Sequence, residues 1–234
     1  MRKTIVSLVV ASALGFGLAQ AAPLVIDNSH SRVGFQVTHL MLSSVDGTFD
    51  TFTGNVDVEK GELKALSGDL KISSVNTQNQ KRDDHLKAAD FFDAAKFPDA
   101  TLKAISIKED KHAEAKMKKH HMHAESEMKK MDMKEGMSKK DMADDKKSMD
   151  MMMKVPTKIY TIEADLTIKG VTKKVKLFGV LRGPVQDMKK NEVYSLMLRG
   201  KVNRKDFGVG NGFANSMVSD DVRINITLEG TPGK

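Results

Sequence analysis

The chain holds 234 residues, no Cys and a formal charge of +7, enough for one domain of ordinary size and a sizeable extra segment. Without Cys, disulfides, thiolate metal sites and a lipid-modified Cys anchor are excluded. The positive surplus is spread along the chain and its lysines are not interleaved with aromatics, which argues against nucleic acid and leaves attraction to an anionic membrane surface open.

At the start, Arg2 and Lys3 precede an apolar run from Ile5 to Leu18, and Ala19-Gln20-Ala21 has the small-x-small pattern of a signal-peptidase site. Residues 1–21 read as a cleaved signal peptide, too short for a comfortable membrane span. The remaining chain, 22–234, is expected to be exported, periplasmic or secreted, with a charge of +5 once Arg2 and Lys3 leave. Leu24 to Asp27 predicts a short first strand, turned by Asp27-Asn28-Ser29. Val33, Phe35, Val37 and His39 then alternate with Gly34, Gln36 and Thr38, the period of a half-buried strand.

A second strand begins at Val45. Phe49 and Phe52 lie three residues apart in it, so its apolar phase slips between them, and Gly47 and Gly54 sit inside its pattern. A bulge or sharp coil in a long bent strand accounts for the slip, and closing a sheet into a small barrel demands such strands. Lys60-Gly61-Glu62 turns into a third strand with Leu66, Gly68, Leu70 and Ile72 on one face. Thr77 to Ala95 lacks β-branched residues after Thr77 and reads helical, ending before Pro98. Phe91, Phe92 and Phe97 cluster there; they cap or line a barrel mouth, or simply seal one end of the core. A strand follows from Ala100 to Ile107.

Lys108 to Lys154 departs from the pattern. It holds 11 of the 16 Met, 4 of the 7 His and 13 Lys, with no Val, Ile, Leu, Phe, Tyr or Trp. Such a segment has nothing to build a core with and reads as a low-complexity, solvated insertion. Strands resume at Val155. Tyr160, Ile162, Ala164, Leu166 and Ile168 share one face, and after the Lys169-Gly170 turn so do Val175, Leu177, Gly179 and Leu181. Gly183-Pro184 breaks that run. Tyr194, Leu196 and Leu198 lead another strand, Gly208, Gly210 and Gly212 mark a loop, and Val222, Ile224, Ile226 and Leu228 alternate in the last strand. About eight substantial strands and one helix predict an all-β antiparallel barrel.

Four stretches carry a resemblance: HSRVGFQVTHL with VDGTFDTFTG, RDDHLKAADFFDAAKFPDATL, ADLTIKGVTKKVKL, and VNRKDFGVG with SDDVRINITLEG. In order and spacing the chain resembles the YceI-like family of polyisoprenoid-binding periplasmic proteins, with the insertion standing where that family has a short connection. The resemblance implies an eight-stranded lipocalin-like barrel with a helical segment over one end and an apolar tunnel. It implies an amphiphilic lipid as ligand, such as a quinone or polyprenyl chain, and a homodimer is compatible with it.

The expected wall of the tunnel is Phe35, Val37, Phe49, Phe52, Leu86, Phe91, Phe92, Phe97, Leu196 and Phe213, each also compatible with ordinary core packing. Arg82, Asp83 and His85, in the family's RDxHL run, either meet a polar head group or serve a helix cap or rim salt bridge. His30 and His39, about 30 Å apart along an extended strand, read as structural. No recognisable nucleophile turn and no metalloprotease helix motif occurs, so the chain reads as a non-enzyme. In the insertion, His120, His121, Met122 and His123, with Met128, Met131, Met133, Met151 and Met153, offer imidazole and thioether ligands suited to Cu(I) or Ag(I). The other reading of these Met is solvated bulk or an oxidant sink.

Overall fold

The computed structural model describes residues 23–117, 119 and 154–233. The signal peptide expected at 1–21 and most of the insertion lie outside the described residues. Period-two sequence becomes strand almost throughout. The strands are β1 (Leu24–Ile26), β2 (Arg32–His39), β3 (Ser43–Phe49), β4 (Phe52–Glu59), β5 (Glu62–Lys71), β6 (Val75–Asn76), β7 (Asp99–Glu109), β8 (Thr157–Ile168), β9 (Val171–Gln186), β10 (Glu192–Asn203) and β11 (Asp221–Pro232). Among the described residues every pairing is antiparallel.

The hydrogen-bonding order is β4-β5-β7-β8-β9-β10-β11-β2-β3-β6, with β1 on β11. β3 and β4 are adjacent in sequence yet lie near opposite ends of this order. They are the two halves of one long strand, bent at Asp50-Thr51 where the apolar phase slips between Phe49 and Phe52. The bend carries the chain from one edge of the curled sheet to the other, and an isolated bridge between Pro23 and Asp57 ties the far part of β4 to the residue before β1. Among the described residues the expected eight strands are thus eleven: the bent strand counts twice, and β1 and β6 have three and two residues.

One further expectation is corrected. The helix is shorter than Thr77 to Ala95: α1 spans Gln80–Lys87, and Ala88 is already extended. Asn79 caps it, its side chain accepting from Arg82 N at 3.1 Å. Beyond Lys87 the chain coils into turns, with Phe92 N bonded to Leu86 O and Phe97 N to Asp93 O, because burying Phe91 and seating Phe92 against Phe49 outweighs helix propensity. Gly183-Pro184 breaks the alternation of β9 without ending the strand: between the Val193–Val185 and Ser195–Arg182 pairs the two residues Gly183 and Pro184 stand opposite Tyr194 alone, a bulge in β9. At the insertion, β7 reaches Glu109 and residues 111–117 are helical. Ala113 N donates to Asp110 Oδ1, and Glu114 Oε1 accepts from Ile159 N.

Candidate functional site

The barrel interior divides along its axis. At one end the inward positions carry Val56, Leu63, Tyr160, Ile162, Leu181, Tyr194, Leu196 and Leu198, all buried in one packed cluster. Tyr160 Oη accepts from Leu63 N at 3.0 Å, which satisfies the phenol inside that core, and burial pushes its pKa up. Lys158 closes this end by pairing with Glu62 and Glu109 at 3.0 and 3.6 Å. The stems of the insertion, at the end of β7 and the start of β8, leave from this packed end, since Glu109 pairs with Tyr160.

The other end is hollow. A cavity of about 360 Å³ opens there, lined by β2, β11, β4, β5, α1 and the loop after β10. Val33, Phe35 and Val37 of β2 and Val222, Ile224 and Ile226 of β11 line it and are only half-buried, although they point inward. On the opposite wall Gly54 and Gly68 face each other across β4 and β5; a Cβ on Gly68 would lie 2.7 Å from Thr53 O, and one on Gly54 would touch Leu228 and Ile26.

Two aromatic groups frame the space. Phe35, Phe49 and Phe92 form one, with centroids 5.5 and 5.8 Å apart. Phe91, Phe213 and His85 form the other, at 4.9, 4.9 and 5.8 Å. Each group has a glycine seat: a Cβ on Gly47 would lie 2.3 Å from the Phe35 ring, and one on Gly210, at φ +59°, 2.8 Å from the Phe91 ring.

The charged groups at this end are already engaged. Buried Asp83 accepts from Thr77 N and Oγ1 at 2.9 and 2.5 Å, and Arg82 donates to Thr77 Oγ1 and O at 2.7 Å each. His85 Nε2 lies 2.7 Å from Asp90 Oδ2 on the exposed rim, and this hydrogen bond holds the Asp90 carboxyl below its ordinary range. Among the described residues no hydroxyl bonds to His85. Arg204, 5 % exposed, donates to the carbonyls of Ser219, Val209, Gly210, Phe213 and Val218 and to Asp220 Oδ1. It holds the whole loop from 208 to 220. Lys169 Nζ ties that loop, at Gly208 O, to the carbonyls of Ala89 and Phe91.

Of the expected wall, Phe35, Val37, Phe49, Phe52, Leu86, Phe91, Phe92 and Phe213 line the cavity, together with Arg82 and His85. Leu196 does not: it belongs to the packed end. Phe97 does not either: its ring packs outside, over the Gly170 turn and under Lys96. Arg204 was missed because an Arg between Asn203 and Lys205 reads as surface charge. The candidate metal ligands His120, His121, Met122, His123, Met128, Met131, Met133, Met151 and Met153 lie outside the described residues.

Comparison with known proteins places this arrangement. Residues 24–230 match the model of the YceI-like domain. A UPF0312 protein of Pseudomonas putida is 28% identical over 241 residues, covering 100% of both chains. The crystal structure of a Campylobacter jejuni YceI protein superposes with a TM-score of 0.59 at 28% identity, covering 89% of this chain and 96% of that one. A polyisoprenoid binding domain from Saccharophagus degradans superposes with a TM-score of 0.56 at 13% identity, over 91% and 99% of the two chains, a likeness of fold.

Proposed function

The chain belongs to the YceI-like domain family, and from that membership we propose that it is a non-catalytic carrier or reservoir for an isoprenoid-type lipid, a quinone or polyprenyl chain, held in the hollow end of the barrel. The observation that carries the reading is the cavity itself. Its about 360 Å³ falls within the roughly 300–1,000 Å³ of small-molecule sites, and small antiparallel barrels have room for one slender ligand. Its walls are aliphatic and aromatic, so an apolar chain gains about 25 cal/mol for each Å² removed from water. The polar groups of Arg82 and His85 sit where a head group would remain at the rim. The polyisoprenoid binding of the Saccharophagus degradans neighbour is in keeping with this cargo. The charged side chains are committed to loops and caps rather than aimed at a reacting atom, which supports binding without turnover. Export, by the N-terminal signal pattern, is part of the proposal.

Native mass spectrometry of the purified full chain, followed by solvent extraction and lipid identification, tests it. A stoichiometric isoprenoid adduct is expected. A barrel that arrives empty and takes up no added prenyl alcohol overturns the reading. Copper or silver binding by the insertion would be the conclusion if that lipid-free protein carried the metal. Removing residues 118–153 sharpens the test: it spares the helical stem that packs on Ile159, and lipid uptake is expected to survive.

A further inference from the structure

The turn from β2 to β3 is built from residues that neither the backbone nor water favours. Leu42 N donates to His39 O at 3.0 Å, and the central residues Leu40 and Met41 sit at φ +50° and +55°. Turns with two successive positive φ values are dominated by Gly, Asn and Asp. Here Leu40, Met41 and Leu42 are instead 50%, 68% and 88% exposed, beside Met217 at 47%.

The four belong to one surface. Leu40 N bonds to Met217 O, Ser219 N to Thr38 O, and His39 bridges to Val218. The surface adjoins the cavity directly: Val37, His39, Val45 and Val218 are lining residues. It is also free of charge, since neither Leu40 to Val45 nor Phe207 to Ser219 contains an Asp, Glu, Lys or Arg in a chain that is 29% charged.

We propose that this tip is the membrane-docking surface of the protein: Leu40, Met41, Leu42 and Met217 enter the headgroup and acyl boundary of a lipid bilayer and set the cavity mouth against it. The proposal rests on the carrier reading for its purpose but not for its geometry. A prenyl chain moving between bilayer and barrel through water exposes its whole apolar surface; a mouth seated in the interface removes that cost. Insertion of a few apolar side chains to about 5–10 Å is how interfacial segments bind. A protein partner fits less well, because the residues that dominate protein interfaces are Trp, Tyr and Arg and neither loop has one. The absence of charge makes the contact apolar, so it requires no anionic lipid.

The test is flotation of the exported chain, residues 22–234, with phosphatidylcholine vesicles, against the double variant Leu40→Asn with Met41→Gly. This variant supplies the residues the turn prefers, so its unfolding midpoint is expected to hold or rise, while vesicle binding falls about tenfold or more through loss of two apolar side chains. Leu42→Ser, at the most exposed position, serves as a second variant. Uptake of a fluorescent prenyl alcohol delivered from cyclodextrin is expected to be unchanged in both, and uptake from vesicles slower. Wild-type protein that does not float, variants that float as well as wild type, or flotation that needs anionic lipid and disappears in salt each overturn the proposal. Flotation by a protein that takes up no prenyl alcohol from cyclodextrin leaves docking standing and removes the carrier reading.

Discussion

The two ends of the barrel share one wall and differ in what stands on it. At the packed end Tyr160, Tyr194, Leu196 and Leu198 fill the axis; at the hollow end Gly54 faces Gly68 and the rings of Phe35, Phe49 and Phe92 stand at the periphery. Closure differs too. Ion pairs of Lys158 shut the packed end, whereas the hollow end is roofed by segments hung from Arg204, Lys169 and Asp83. Stability and capacity are thereby assigned to different residues, and the insertion is attached on the side of stability. Its stems are about 30 Å from the mouth along β7, at the spacing of an extended strand, so copper held close to those stems would not touch a head group at the rim.

This separation can be broken by mutation. The largest effect is expected for Leu198→Ala, which opens a void in the packed end and costs about 2–5 kcal/mol in urea unfolding, while the folded fraction still takes up prenyl alcohol; lost uptake at full folding would erase the division. Arg204→Ala strands several carbonyls and Asp220, a loss of about 3 kcal/mol. Because the guanidinium holds the roof, faster release of a bound prenyl probe is expected as well, and Arg204→Lys is expected to rescue little. Ile224→Phe adds a ring to the hollow rather than to a filled core. It should change stability by under about 1 kcal/mol and cut uptake sharply; a large stability loss would mean that the hollow is packed in solution.

The smallest effect concerns pH. Lys64 and Lys158 hold the Glu62 carboxyl at about 2, below its ordinary 4.5. A depressed carboxylate contributes stability above its unfolded pKa and loses it as pH falls through the folded value. Unfolding followed from neutral pH down to about 2 should therefore show a shallower acid decline in Glu62→Gln, and uptake at neutral pH should not change.

Much of the wall was legible because a strand repeats every two residues. Val222, Ile224, Ile226 and Leu228 alternate in sequence and all line the cavity, and the slip between Phe49 and Phe52 marks the bend. What the sequence conceals is axial position. Leu196 and Phe35 both lie on inward faces, yet one is core and the other cavity wall, because the difference depends on which residues stand opposite in neighbouring strands. The helix was read too long because Ala88 and Ala89 favour helix locally, while the demand to place Phe91 and Phe92 inside comes from the tertiary fold. Arg204 left no pattern since its partners are mostly backbone carbonyls.

The bent strand and its neighbours also fix an order of assembly. β1 pairs with β11 through Leu24 and Pro232, and β2 pairs with β11 through Phe35 and Ile224. β1 therefore pairs with the last strand, and β2 finds there its second partner beside β3. A chain still short of Asp221 can form the β2-β3 hairpin and its continuation into β4 but has no strand to bridge β2 and β10, and contacts of such long sequence separation are slow to form. β11 acts as the clasp of the molecule: until it is in place β2 and β10 remain unjoined, and once it is, β1 and β2 are locked into the same seam.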